Sequence, residues 1–438
     1  MKSQLLLLIF LAPSLNSEKC QTSQTIDDLQ KILQVETILK EENILSIEEI
    51  ENDYRASVKT FFPAIDPEAF MNVTEIIKYH GYPVEEHIVE TSDGYVLKIQ
   101  RIPHGKNGLK MGPGKPVLLQ HGLLASSVVW VTNTPDKNLA YLLADAGYDV
   151  WLGNIRGTVC GYNNTNFSPN DKRFWQFSFD EMAKYDVPSV IQTVLKVTKY
   201  KQIYYVGHSM GTTMLFALLS SQPEYNNIIK AGFTLAPVTL THNIRGALRV
   251  LSHFLTEVEW IYKFLQNGKF YLPPIIADFL ARTLCDSPLR VICENTMFLL
   301  SGFDYAQTNA TRLPVHVYHT PDATSLQTMT HYAQLITASH FQYYDYGTTE
   351  NWHHYNQSTP PIYNLSKITT PISIFWANND YLADPTDVTQ LVSQLKNVSL
   401  VYEVPFSKFN HLDFMWAIDV KPLLYNKLLD ALQKQWTE

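Results

Sequence analysis

The pentapeptide Gly207-His208-Ser209-Met210-Gly211 lies between an apolar run, Ile203-Tyr204-Tyr205-Val206, and a helix-prone run from Thr212 to Ser220. That order makes a strand pass directly into a helix through a sharp turn. Glycines stand at the two positions where a side chain would crowd the bend. Ser209 then sits on a strained backbone with its hydroxyl exposed at the strand end. The Met210 amide, at the start of the helix, points toward any oxyanion formed beside the serine.

Strand-like runs recur around this turn at Tyr95 to Ile102, Pro116 to Gln120, Tyr148 to Leu152, Gln202 to Val206, Ala231 to Leu235, Pro371 to Trp376 and Ser399 to Val404, with helical runs between them. The alternation predicts an α/β chain, a mostly parallel central sheet wrapped by helices. The spacing breaks after Pro237, and strand spacing resumes only near Ser366. Within that break Leu251, Phe254, Leu255, Val258, Ile261 and Leu265 recur at helical spacing, flanked by Trp260 and Phe264, and Pro273-Pro274 ends the run. Two readings stand: an amphipathic helix packed permanently on its domain, or a cap over Ser209 whose apolar underside binds acyl chains and whose movement admits a lipid surface.

A nucleophilic serine needs a second oxyanion donor, a base and an orienting carboxylate. The run Pro116 to Gln120 ends in His121-Gly122-Leu123-Leu124, where a glycine permits close backbone approach. The Leu123 amide is therefore expected as the second donor beside Met210, and His121 as a residue that orients the loop by hydrogen bonding. In the chain order Ser, acid, His, the acid follows the strand Pro371 to Trp376. Of three aspartates there, Asp384 precedes a proline suited to a first helical position and Asp387 follows in the first turn, which makes them helix cap and first-turn acid. Asp380 has no such duty and is expected as the triad acid. His411, in the loop before the last helix, is the only histidine after Asp380 and is expected as the base, with Asp413 a local hydrogen-bond partner.

Taken with the segments Asp66 to Asn72, Tyr79 to Pro83, Thr91 to Tyr95, His121 to Ser126, Ala144 to Asn154, Phe179 to Asp186, Leu382 to Pro385 and Asn410 to Phe414, the chain resembles the acid lipase family of α/β-hydrolases from about Asp66 to its C-terminus. The resemblance implies an α/β-hydrolase fold with a helical cap, Ser209 as nucleophile, Asp380 as acid, His411 as base, and the Leu123 and Met210 amides as oxyanion hole. There are departures. Met210 stands where a glutamine is expected, and Cys160 and Ser301 stand where a non-cysteine and a cysteine are expected. The domain expectation is a signal peptide at 1–17, an extension or removable pro-segment at 18–65, core at 66–237, cap at 238–366 and core again at 367–438.

Lys2, an apolar run from Leu5 to Ala12 and small residues to Ser17 read as a secretory signal. No later apolar run approaches the length of a membrane span, so the expected destination is secreted or a lysosomal lumen. Sequons at Asn72, Asn163, Asn166, Asn309, Asn356, Asn364 and Asn397 are expected glycosylation sites on that route. A net charge of −8 without a basic run argues against nucleic acid. His353-His354 lacks metal-ligand companions, so no metal and no cofactor are expected. Gly108 to Pro116 departs from phosphate-loop spacing and reads as a turn.

Four cysteines leave three full pairings. Cys285 and Cys293 bracket the turn-prone Asp286-Ser287-Pro288, and the resemblance implies a disulfide in this part of the cap. On a continuous helix the two would stand roughly 12 Å apart, too far to bond. Closed, the bridge would add about 2 to 3 kcal/mol in the chain-entropy picture. Cys20 and Cys160 stay unassigned. The expected activity is hydrolysis of neutral-lipid carboxylic esters, triacylglycerols or cholesteryl esters, at a lipid–water interface. The alternatives are a small-ester or sterol-ester carboxylesterase and a non-catalytic lipid-binding protein on the same fold.

Overall fold

Uninterrupted burial along three consecutive core strands sets the architecture. In a computed structural model that describes residues 66–108, 114–246, 249, 267–271 and 297–437, β3 (Pro116–Gln120), β4 (Asp149–Leu152) and β6 (Ile203–His208) are buried at every residue. A strand apolar on both faces must be covered on both, which is what helices crossing a parallel sheet accomplish. These strands join β1 (Glu85–Glu90), β2 (Tyr95–Ile102), β5 (Asn163–Asn164), β7 (Ile229–Leu235), β10 (Ile372–Trp376) and β11 (Val398–Glu403) in one nine-stranded sheet, ordered β1-β2-β4-β3-β6-β7-β10-β11 with β5 on β2. The run β4-β3-β6-β7-β10-β11 is parallel, while β1, β2 and β5 pair antiparallel.

The sheet matches the expectation of a mostly parallel core, and its edges explain what periodicity missed. β1 reads Glu85-Glu86-His87-Ile88-Val89-Glu90 and buries only Val89, so it carries no apolar alternation. Charge along an edge strand discourages pairing with another chain. At the centre, the helix Met210–Ser221 is buried from Met210 through Ser220. A helix apolar on all sides is a core helix, and this one fixes the end of β6.

Because β3 is followed by β4 on one side and β6 on the other, the chain reverses its winding direction at β3. The crevice outside the carboxyl ends of strands at such a switch point is where open α/β sheets bind ligands. The register Gln120↔Gly207 and His208↔Leu235 brings the ends of β3, β6 and β7 level with Ser209.

Between β7 and β10 the described residues include β8 (Lys269–Phe270) paired with β9 (Thr324–Ser325) and the helices Leu313–His319, Leu326–Thr337 and Thr348–Tyr355. Residues 1–17 and 18–65, the run 251–265, Pro273-Pro274, and Cys20, Cys285 and Cys293 lie outside the described residues, as does most of the turn expected between Gly108 and Pro116. Cys160, the described cysteine, is disulfide-bonded.

Candidate active site

Ser209 has φ +53°, a left-handed value that β-carbon sterics disfavour. Three contacts hold it there. Its amide donates to Leu235 O at 3.1 Å, its carbonyl accepts the Thr212 amide at 2.8 Å, and the Tyr205 hydroxyl donates to Gly211 O at 2.8 Å. The flanking glycines are needed for space. A β-carbon on Gly207 would stand 2.7 Å from Gly211 C, and one on Gly211 would stand 2.3 Å from the Gln120 carbonyl oxygen. The strained turn thus depends on packing against β3.

The loop after β3 approaches the serine as closely. A β-carbon on Gly122 would lie 2.8 Å from Ser209 Cβ and 3.4 Å from Ser209 Oγ. Neither the adjacent Leu123 amide nor the Met210 amide finds a protein acceptor among the described residues. The Met210 amide follows the serine directly, and the Leu123 amide follows Gly122, whose position abuts Ser209. His121 donates from Nδ1 to Gly122 O at 2.9 Å, and burial pushes its imidazole down to about 4, so it stays neutral and supports the loop.

Asp380 and His411 meet directly. His411 Nδ1 lies 2.8 Å from Asp380 Oδ2 and 3.0 Å from Oδ1. Carboxylate oxygens only accept, so Nδ1 carries the proton and Nε2 presents its lone pair. The Leu382 and Ala383 amides also donate to Asp380 Oδ1, each at 2.8 Å. Both residues are buried. Asp384 caps the helix Pro385–Gln394 through the Thr386 amide, and Asp387 binds Asn243.

His208 ties the serine turn to the histidine loop. Its Nε2–H donates to His411 O at 3.1 Å, and the two rings lie 5.0 Å apart. Burial, with His411 and His121 nearby, holds the His208 imidazole well below its ordinary range. Among the described residues no hydrogen bond joins Ser209 Oγ to His411. Catalytic bonds of this kind are often long or misaligned in unliganded enzymes and tighten on binding. From sequence, His208 has no assigned part beyond its place in the pentapeptide. Its place as the last residue of β6, immediately before the serine, was the available signal.

The histidine loop is braced from outside the core. Ser301 O accepts the amides of His411 and Tyr381, each at 3.3 Å, and Gly302 O accepts Asn410 Nδ2 at 2.9 Å. Asp413 accepts the Asn410 amide at 2.6 Å, and burial drives its carboxyl well above the usual carboxylate range, with Asp304 and Asp380 adding to the effect. On the other flank the Asp322 amide donates to Leu124 O at 2.7 Å, which anchors the loop after β3 at its left-handed residue, φ +56°. Among the described residues no group of histidine, cysteine and carboxylate side chains is placed to hold a metal. Of the sequons, Asn163, Asn166, Asn356, Asn364 and Asn397 are exposed and Asn72 and Asn309 are half-buried.

Residues 115–418 match the alpha/beta hydrolase fold family, and residues 73–134 match a partial alpha/beta-hydrolase lipase region. Gastric triacylglycerol lipase of Bos taurus is 43% identical over 84% of this chain and 93% of its own length. Lysosomal acid lipase/cholesteryl ester hydrolase of Homo sapiens is 42% identical over 85% and 93%. A solved structure from Sulfolobus solfataricus, 14% identical with a TM-score of 0.53 over 80% of this chain and 93% of that one, shares the fold.

Proposed function

The chain belongs to the acid lipase family of α/β-hydrolases, and from that premise we propose that Ser209, His411 and Asp380 carry out its ester hydrolysis. The protein is a lipase, a serine-type hydrolase of carboxylic esters, and its substrate class is neutral lipid, triacylglycerols or cholesteryl esters. Its place is the secretory pathway or the lysosome, and it acts at a lipid–water interface. Among the described residues no helix is long and apolar enough to cross a membrane.

His411 Nε2 takes the Ser209 proton as Oγ attacks the ester carbonyl. The Leu123 and Met210 amides receive the charge that builds on the carbonyl oxygen. The imidazolium then donates its proton to the departing alcohol, leaving an acyl group on Ser209. Water, deprotonated by the same imidazole, releases the fatty acid and restores the serine. Asp380 holds Nδ1–H throughout, so Nε2 alone accepts and returns protons. His121 and His208 keep the two loops in place.

The observation that carries this reading is the 2.8 Å contact between His411 Nδ1 and Asp380 Oδ2, on a loop that the His208 ring ties to the strained turn of Ser209. The test compares purified wild-type protein with Ser209→Ala on a triacylglycerol, a cholesteryl ester and a short-chain ester. The variant should fold normally and lose turnover by a factor on the order of a million. Hydrolysis retained by Ser209→Ala would refute the assignment, and the ranking of substrates by the wild type fixes the preferred ester. The five segments expected from sequence, from the leader at 1–17 through the core at 367–438, and a Cys285–Cys293 bridge belong to this proposal.

A further inference from the structure

We propose that Asp304 and Asp413 share a single proton, and that this acid pair clamps the His411 loop to the segment 297–308, which makes both carboxyls positioning residues for the base. The inference rests on His411 being the base proposed above.

Asp304 is fully buried, and Asp413 is 4% exposed. Asp304 Oδ1 is satisfied by the amides of Ala306 at 3.0 Å and Gln307 at 3.3 Å. Oδ2 is buried with no donor among the described residues. The turn that carries Asp304 meets the Asp413 turn through Ser301 O, which accepts the His411 amide, and Gly302 O, which accepts Asn410 Nδ2, and the Asp413 carboxyl is the neighbouring side chain that interacts with Asp304. Two carboxylate oxygens only accept, so nothing but a proton can join them. Two like charges in contact and out of water do not both ionise at ordinary pH, as paired carboxyls in other sites demonstrate.

The charged neighbours do not replace that proton. Asp380, across the loop after β10, adds negative charge and favours the neutral form of Asp413. Lys408, on the histidine loop, favours the ionised form of Asp304, but burial is the larger influence. Asp419 is held by Gln307 Nε2 at 3.1 Å, and the His411 imidazole faces Asp380. Taken together, these groups leave the pair with one negative charge and one proton.

The clamp acts on the base through a short path. Asp413 Oδ2 accepts the Asn410 amide at 2.6 Å, and Asn410 Oδ1 accepts the amides of Leu412 at 2.8 Å and Asp413 at 3.1 Å. His411 lies inside that turn, and its own amide bonds Ser301 O, three residues before Asp304. When the shared proton leaves, two buried charges face each other and part the loop from the segment. His411 then loses its alignment with Asp380. The folded pair binds its proton more tightly than either carboxyl would in the unfolded chain. The stabilisation is therefore complete below the ordinary carboxyl range and is lost as pH rises through the pair's own titration.

The experiment measures kcat/KM from about pH 4 to pH 9 for the wild type, Asp304→Asn and Asp413→Asn, with pH-difference infrared spectra of each. An amide in either position donates N–H to the remaining carboxylate and needs no proton. Each variant should therefore shift the alkaline fall in kcat/KM upward by at least about one pH unit. Each should also lose part of the neutral-carboxyl C=O signal, the remainder arising from Asp180 and Glu181, whose carboxyls burial also raises. An alkaline fall unmoved in both variants, or a carboxyl signal undiminished in both, overturns the proposal. The infrared reading does not depend on turnover, so hydrolysis retained by Ser209→Ala would sink the proposed nucleophile while the shared proton is still judged on its own signal.

Discussion

Gly122→Ala tests how closely the oxyanion loop and the nucleophile are fitted. The new methyl would lie 2.8 Å from Ser209 Cβ, 3.2 Å from His208 O and 3.4 Å from Ser209 Oγ. Carbon atoms rest at about 3.5–4.0 Å, so one side must retreat by roughly an ångström. Ser209 is poorly able to yield, because its amide bonds Leu235 O at 3.1 Å and its φ of +53° is held by β6 and the helix behind it. The loop moves instead and carries the Leu123 amide out of donor range. A displacement near 1 Å costs about a hundredfold in rate, and a lost oxyanion donor roughly a hundred to a thousandfold. The two losses share one movement and do not multiply. We expect kcat/KM on a soluble short-chain ester to fall roughly 10²- to 10³-fold, with overpacking costing about 1–3 kcal/mol of stability. Gly232→Ala is the control: its methyl would press on Ile372 Cδ1 at 2.9 Å and Leu215 Cδ2 at 3.0 Å, in the core and away from the serine. It should show a similar stability loss and keep its activity. Gly122→Ala that folds and retains kcat/KM within about threefold, or Gly232→Ala that loses as much, would show that the loop and Ser209 are not fitted this closely.

Asp380→Asn should keep its loop, since Oδ1 can still accept the Leu382 and Ala383 amides, but its Nδ2–H would face His411 Nδ1 and force the wrong tautomer. A fall in kcat of about 10⁴-fold with little change in melting temperature is expected from steady-state kinetics and thermal melts. Burial pushes Asp180 up to about 7, against bonds from the Tyr363 hydroxyl at 2.6 Å and the Tyr344 amide at 2.9 Å. In the unfolded chain it returns to about 3.9, so its contribution to stability is full below that value and is lost as pH rises toward 7. Urea melts of Asp180→Asn across this window should show a flatter decline than the wild type, and an identical slope would count against it. Arg156 is buried against Asp186 at 2.6 Å and Asp93 at 2.6 Å, so Arg156→Ala strands a buried carboxylate. Chemical denaturation should register a loss of about 3–5 kcal/mol.

What could be read from sequence was whatever local geometry imposes on neighbouring residues. Gly207 and Gly211 betray the turn because each must let backbone approach backbone, and Asp384 betrays a helix start because Pro385 follows it. Chain order did the rest for Asp380 and His411. The pairing of β8 with β9 was hidden because two-residue strands carry no period, and β1 because an exposed edge needs no apolar alternation. Contacts between distant segments left no local mark at all. Asp304 reads as an unremarkable loop acid until the fold sets it against Asp413. Arg156 gives no sign of Asp93 and Asp186, and the Asp322 amide none of Leu124. His208 had a visible position, and only the bond to the His411 carbonyl assigns it work.

In the proposed mechanism one serine, activated by His411, performs the chemistry. The most direct measurement is to treat the folded protein with a long-chain alkyl phosphonate and locate the adduct by peptide mass spectrometry. A single stoichiometric adduct on Ser209 is expected, formed in step with loss of hydrolysis and absent in His411→Ala. An adduct on another residue, or full labelling of Ser209 with hydrolysis undiminished, would contradict it.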